Sequence, residues 1–189
     1  MKALFTLKPT ELFDVHKHDR EAFCSGVSAL DIYIKEQARK EAERNISQTF
    51  VLTCIEKPSK ILGYYSLSSN RIQTDDLPKE LSKKLPKYGG IGVTLLGRFA
   101  IDETYQSKQK TNLRLGEHLL TDSKLKSWQV SRIVASYALI IDVLIGEKGD
   151  PTDFYKKYDF VPFPDHANKP YLPMTKIEKT LQMSGLIAG

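Results

Sequence analysis

Residues 133–145, Ile-Val-Ala-Ser-Tyr-Ala-Leu-Ile-Ile-Asp-Val-Leu-Ile, make a nearly continuous apolar run. A run of this length and composition is the mark of a central strand covered on both faces. Ahead of it the sequence predicts a helix of about 15 residues that ends near Trp128. Ahead of that helix, residues 93–101 read as a strong strand. Strand, crossover helix and strand together imply a parallel pair. A parallel pair commits the chain to an α/β fold, with a mixed sheet flanked by helices.

The remaining segments fit around that unit. Ser28 and Asp31 are spaced as a capping box, and behind them Leu30, Ile34, Ala38 and Ala42 recur at helical spacing. Residues 49–55 and 61–68 are β-rich and joined by a short link containing Pro58, which reads as an antiparallel hairpin. Residues 77–87 look like a short amphipathic helix fenced by prolines. A long polar loop spans 102–112. Asp150-Pro151 suits an N-cap followed by a first-turn proline, opening the helix that carries Tyr155. Residues 171–177 are expected to be a last strand, and those from about 182 a loose tail. With no repeat or linker in view, the expectation is a single domain over residues 1–189.

At 189 residues and 21.4 kDa the chain has room for one complete domain. No apolar stretch approaches the ~20 residues that span a bilayer, and residues 1–5 do not begin a signal peptide. Two cysteines, Cys24 and Cys54, are too few for a disulfide framework and lack metal-ligand spacing. A cytoplasmic protein with reduced thiols and no membrane contact is therefore expected. The net charge of +5 is compatible with a polyanionic partner.

Several segments, taken together, resemble the GNAT-type N-acetyltransferase family, and within it the toxin branch. They are Phe23-Cys24-Ser25-Gly26 followed by Leu30-Asp31; Gly63-Tyr64-Tyr65-Ser66-Leu67; Leu96-Gly97-Arg98-Phe99-Ala100-Ile101-Asp102; Leu115-Gly116-Glu117-His118-Leu119-Leu120; Phe154-Tyr155 through Phe160; and Pro173-Met174-Thr175. The resemblance implies a GNAT-like sheet that splays, acetyl-CoA as acetyl donor and an aminoacyl-tRNA as acceptor. It also implies a ribbon-helix-helix antitoxin as partner, and a second copy of the chain is a further candidate. Two positions depart from the family pattern. Arg114 stands where the first glycine of Q/R-x-x-G-x-G/A is expected, leaving Gly116, and Asp159 stands where F-Y-x-x-F-G-F has its glycine.

Within that resemblance the residues acquire roles. A helix N-terminus supplies backbone donors and a positive dipole end to a diphosphate, which places cofactor contacts at Leu115, Gly116 and Glu117. Lys108, Lys110 and Arg114 would add side-chain donors in place of the missing glycine. Phe99, Ala100 and Ile101 would offer a strand edge to the pantetheine arm, with Gly97-Arg98 as a bulge that starts the splay. Tyr155 is the candidate catalytic acid, since a phenol stays protonated at neutral pH and can protonate a leaving thiolate. The alternatives are a basic surface loop with a remnant glycine, an ordinary buried strand and a core aromatic.

His16 and His18 form an H-x-H pair without a third ligand, so no metal is expected, and His118 reads as a packing or surface residue. Asp142, inside an apolar run, would be a buried carboxylate in need of a partner. Lys79, Lys83, Lys84 and Lys87 make one basic stretch, and Arg39, Lys40 and Arg44 a second. They are either RNA phosphate contacts or solvated helix faces. Two other functions stay open. One is a GNAT enzyme for a protein or small-molecule amine; the other is a degenerate GNAT domain that only binds.

Overall fold

The computed structural model describes residues 6–86, 90–106, 114–145, 149–164 and 166–188. Lys87, Lys108 and Lys110 lie outside the described residues. The hydrogen-bonded strand order is β1-β2-β3-β4-β5-β7-β6. These strands are β1 (Glu11–Leu12), β2 (Gln48–Leu52), β3 (Gly63–Ile72), β4 (Ile91–Ile101), β5 (Ala138–Ile141), β6 (Val161–Phe163) and β7 (His166–Pro173). β4 and β5 run parallel, as the crossover demands, and β5, β7 and β6 are antiparallel in turn. The sheet is mixed. Two compact units draw on this chain, Met1–Leu67 with Arg98–Ser123, and Ser68–Gly97 with Lys124–Gly189.

In the first unit, the β2–β3 hairpin pairs Gln48–Leu52 against Leu67–Gly63 in register, with β1 on the outer edge of β2. Helix α1 (Ser28–Ile32), a π-helical segment (Tyr33–Gln37) and α2 (Ala38–Glu43) follow one another directly. Leu30, Ile34 and Ala38 pack with Phe23, Tyr33, Val51, Ile61, Tyr64 and Ala100 into one core. The i, i+4 apolar stripe is what makes this stretch helical. The predicted capping box is not formed. Val27 is the N-cap, and Asp31 instead accepts from the amide and hydroxyl of Ser25, each at 2.7 Å.

In the second unit, α3 (Lys79–Ser82) is a single turn between Leu77 and Leu85. α4 (Leu115–Ser131) begins in the first unit and ends in the second. The apolar run that predicted a strand over 133–145 yields only the four buried residues of β5. Ile133 is 87% exposed and Val134 68%, because both belong to the turn that ends α4, bonding back to the Val130 carbonyl. Asp142 is exposed past the strand end, so its carboxylate needs no buried partner.

The last strand also begins and ends earlier than predicted, over His166–Pro173 instead of 171–177. β7 stops at Pro173, and Met174 opens α6 (Met174–Met183), whose buried Met174, Ile177 and Leu181 recur at helical spacing. α6 runs into the expected tail. Gly185, at φ 69°, ends it in a Schellman motif: Leu186 bonds to the Leu181 carbonyl and Gly185 to that of Gln182. Among the described residues, no helix is long and apolar enough to cross a membrane.

Candidate active site

In the first unit, three sequence segments converge on the end of β4. The Asp102 amide donates to the Leu62 carbonyl at 3.0 Å, and the Glu103 amide to Cys24 at 2.8 Å. Gln106 bridges the Ser25 and Ile101 carbonyls at 2.8 and 2.7 Å. Asp102, 2% exposed, caps the 3-10 turn Glu103–Tyr105 by accepting from Thr104. Gly63 sits where a side chain does not fit. A Cβ there would lie 2.7–2.9 Å from Leu119, Ile101 and the Ala100 carbonyl. Ala100 is buried, while Phe99 and Ile101 are half-buried. The Arg98 guanidinium lies over the Tyr33 ring, 5.3 Å from its centroid.

At the start of α4, the Arg114 carbonyl accepts from the His118 amide, which makes Arg114 the N-cap. Its backbone sits at φ 43°, in the left-handed region. Leu115 is buried, Gly116 and Glu117 half-buried, and His118 exposed. The opening amides of a helix have no intrahelical acceptor, so this end presents donors. The Arg114 guanidinium pairs with the Glu117 carboxylate at 3.2 Å, an exposed pair.

In the second unit, the β4–β5 ladder joins Thr94–Leu96 to Leu139–Ile141 and closes with the Asp142 amide on the Leu96 carbonyl. β4 continues to Ile101 beyond it. α5 (Thr152–Lys156) opens one residue later than the Asp-Pro pair predicted, with Pro151 as its N-cap rather than its first-turn residue. Asp150, ahead of the cap, accepts from the Thr152 amide at 2.8 Å.

The far end of α5 is a second Schellman motif. Phe160 bonds to the Tyr155 carbonyl at 3.4 Å and Asp159 to that of Lys156 at 3.2 Å, with Asp159 at φ 68°. The apolar contact that accompanies this motif is the edge-to-face pair of Tyr155 and Phe160, with centroids 6.0 Å apart. The spacing from Tyr155 to Phe160 is thus the spacing of a helix cap. Tyr155 is 5% exposed, and burial pushes its phenol well above the usual tyrosine range, so it holds its proton throughout the neutral range. Phe154 and Tyr158 are half-buried, their rings tilted at 59° with centroids 5.1 Å apart.

No protein-family model matches the chain. Among curated proteins, it is 25% identical over 175 residues to the probable toxin TacT of Sinorhizobium fredii (strain NBRC 101917 / NGR234), covering 90% of this chain and 93% of that one. Among solved structures, a Tyr-to-Phe mutant of KacT superposes with a TM-score of 0.81 at 28% identity, over 93% of this chain and 99% of that one. AtaT complexed with acetyl-methionyl-tRNAfMet gives 0.79 at 26%, over 93% and 99%. The chain is similar, over nine-tenths of its length, to toxins of the GNAT-type acetyltransferase family and shares their fold.

The likeness gives the two departures a physical meaning. At Arg114 and at Asp159, where the family pattern has glycine, the backbone of this chain is left-handed. The conformation is kept and the glycine is not. Aspartate tolerates that region, whereas arginine does so only at some cost in strain. Among the described residues no group of His, Cys, Asp and Glu is placed to hold a metal. His18 is buried and accepts from the Asp14 amide, and His16 is exposed. Lys79, Lys83, Lys84, Arg39, Lys40 and Arg44 are all exposed.

Sequence reasoning missed Lys124. It lies on α4 and is only 5% exposed, three and four residues from the buried Ser127 and Leu120. A lysine on the inward stripe of a helix, among leucines and the small residues Ser123 and Ser127, is the signal that could have found it.

Proposed function

We propose that this protein transfers the acetyl group of acetyl-CoA to the α-amino group of an aminoacyl-tRNA, with Tyr155 as general acid. Such a protein is a toxin, restrained by a ribbon-helix-helix antitoxin and working in the cytoplasm as one acetyltransferase domain. The observation that carries this reading is the buried Tyr155 phenol, fixed on its capped turn. It stands in a chain that aligns over nine-tenths of its length with AtaT, a protein seen with acetyl-methionyl-tRNA. AtaT is also known bound with acetyl-CoA and, as a Tyr-to-Phe mutant, bound to the C-terminus of its antitoxin AtaR.

The residues present fit acetyl-CoA. The amides opening α4 at Leu115, Gly116 and Glu117, with the Arg114 guanidinium, meet the needs of a diphosphate. Phe99, Ala100 and Ile101 offer main-chain groups to the amides of the pantetheine arm, and their N–H groups suit a developing oxyanion. Lys108 and Lys110 stay proposed as flanking cations. Bound acetyl-CoA supplies an activated thioester. As the amine nitrogen bonds to the acetyl carbon and the carbon–sulfur bond breaks, the Tyr155 hydroxyl gives its proton to the departing sulfur. Solvent takes the proton shed by the attacking amine, and the phenolate recovers one from solvent. Lys79, Lys83, Lys84 and Arg44 are proposed to meet acceptor phosphates.

The test is incubation with labelled acetyl-CoA and charged tRNA, followed by recovery of label on the aminoacyl group. Tyr155→Phe is expected to fold normally and to lower turnover by about 100-fold. Growth arrest on expression, relieved by the same variant, is expected of a toxin. Absence of label on every charged tRNA, with no calorimetric signal from acetyl-CoA, would leave only a binding module.

A further inference from the structure

Lys124 is an ionisable side chain buried in a helix face, and the chemistry described so far does not use it. Its ammonium donates to the Tyr158 carbonyl at 3.2 Å. It also lies 5.4 Å from the ring centroids of both Tyr158 and Phe160. All three contacts fall on the Schellman turn that ends α5. Tyr158 lies in that turn, one residue past the Lys157 C-cap, where carbonyls are left without an intrahelical donor. A cation at this end also meets the negative pole of the helix. Phe160, whose ring carries Lys124 on one contact, makes the edge-to-face contact with Tyr155 on another.

We infer that Lys124 is a positioning residue for the acetyl transfer: it clamps the C-terminal turn of α5 through Tyr158 and Phe160 and so fixes where the Tyr155 phenol points. This rests on the reading of Tyr155 as the proton donor. Lys124 itself touches neither donor nor acceptor.

The surroundings of Lys124 make the clamp sensitive to pH. Burial lowers its pKa to about 8, and the Asp159 carboxylate, the charge facing it from the α5 turn, works in the opposite direction. The Tyr158 phenol is a second titratable group against it among the described residues, and Lys124 lies over its ring. Lys124 therefore carries its charge at pH 7 and loses it in the mildly alkaline range. The cation–π contacts and the helix-pole attraction go with the charge, while the neutral amine keeps only a weaker hydrogen bond.

The test compares the wild type with Lys124→Met, which keeps the length of the side chain, and Asp159→Asn, which keeps a residue that tolerates φ 68°. Labelled acetyl transfer is measured from pH 6.5 to 9.5. Lys124→Met is expected to lower kcat by about tenfold or more at pH 7, as loss of orientation does. The KM for acetyl-CoA should stay within about twofold of wild type on the same grounds. The ratio of wild-type to Lys124→Met kcat removes the titration of the attacking amine. It should be large at pH 7 and shrink above pH 8. Asp159→Asn, having lost the charge that favours the ammonium, should move that decline to lower pH. Wild-type kcat in Lys124→Met, or a ratio flat with pH, overturns the proposal.

Amide exchange of Asp159 and Phe160 provides a readout independent of turnover, and Lys124→Met should speed both. Full turnover in Tyr155→Phe sinks the Tyr155 reading, and with it the positioning role. A large pH-dependent ratio cannot then be ascribed to proton transfer, even if exchange still reports the clamp. Full protection of both amides in Lys124→Met overturns the clamp alone and leaves Tyr155 standing.

Discussion

Two helix ends in this chain use the same motif with different residues at the left-handed position, Gly185 at φ 69° and Asp159 at φ 68°. Glycine reaches that region freely, aspartate at a modest cost, and alanine at a larger one. Asp159→Gly is therefore expected to stabilise by about 0.5 kcal/mol and Asp159→Ala to destabilise by about 1 kcal/mol, both read by urea denaturation. Arg114 occupies the other former glycine position and adds a second consideration, because its guanidinium is already paired with Glu117. An exposed pair of this kind is worth about 0–1 kcal/mol, so a diphosphate can win the arginine at small cost. Glu117→Gln removes both the competitor and a like charge beside the phosphates. It should tighten acetyl-CoA binding about two- to fivefold by calorimetry. Weaker binding would show that Glu117 itself contacts the cofactor.

At the scale of elements, the sequence disclosed type and order more readily than extent. The β2–β3 hairpin, the parallel β4–β5 pair and the crossover α4 were legible because their hydrophobic periods differ, alternating or continuous against 3.6. The run at 133–145 overstated its strand because an exposed helix end and a buried strand can both be apolar. Only packing separates Ile133 from Ile140. The end of β7 was misread for a related reason. Four residues from Met174 to Ile177 are too few to tell a strand from a helix, and Pro173 is compatible with either border. Of the candidate site, Tyr155 and the start of α4 stand out from motif order as proposals, whereas Lys124 depends on which face of α4 turns inward. Gly63 shows a constraint that composition hides. Its bare Cα lets β3 approach Ala100, Ile101 and Leu119, and a Cβ would meet all three under 3 Å. Gly63→Ala should cost about 1–3 kcal/mol by thermal or urea denaturation. Since Ala100 and Ile101 belong to the proposed pantetheine edge, the KM for acetyl-CoA should rise in the protein that remains folded.

Across the whole molecule, the buried ionisable groups set how stability responds to alkali, and the two units differ. Tyr64 and Tyr65 in the first unit, and Tyr155, Tyr137 and Tyr171 in the second, all have phenols raised by burial. An unfolded tyrosine releases its proton near pH 10, whereas these keep theirs when folded. Above about pH 10 the folded state therefore binds more protons than the unfolded one, and stability falls as pH rises. Lys124 has the opposite sign. Its folded pKa, about 8, lies below its unfolded one, so between those values the unfolded chain binds the extra proton and stability rises with pH. Below pH 8 the lysine is charged in both states and its burial penalty is carried in full. The second unit should thus gain on the order of 2 kcal/mol between pH 8 and 10 before the tyrosines reverse the trend. The first unit has the tyrosine decline without a buried lysine of this kind among its described residues. Trp128, the sole tryptophan, lies on α4 in the second unit and reports its unfolding. Urea denaturation followed by Trp128 fluorescence at pH 7, 9, 10 and 11 should show a rise and then a fall in the wild type. In Lys124→Met the rise should vanish and only the fall remain. That variant should also be no less stable than the wild type at pH 7, since the buried charge is gone. A neutral-pH gain in stability joined to a loss of turnover is what a charge kept for positioning rather than for folding produces.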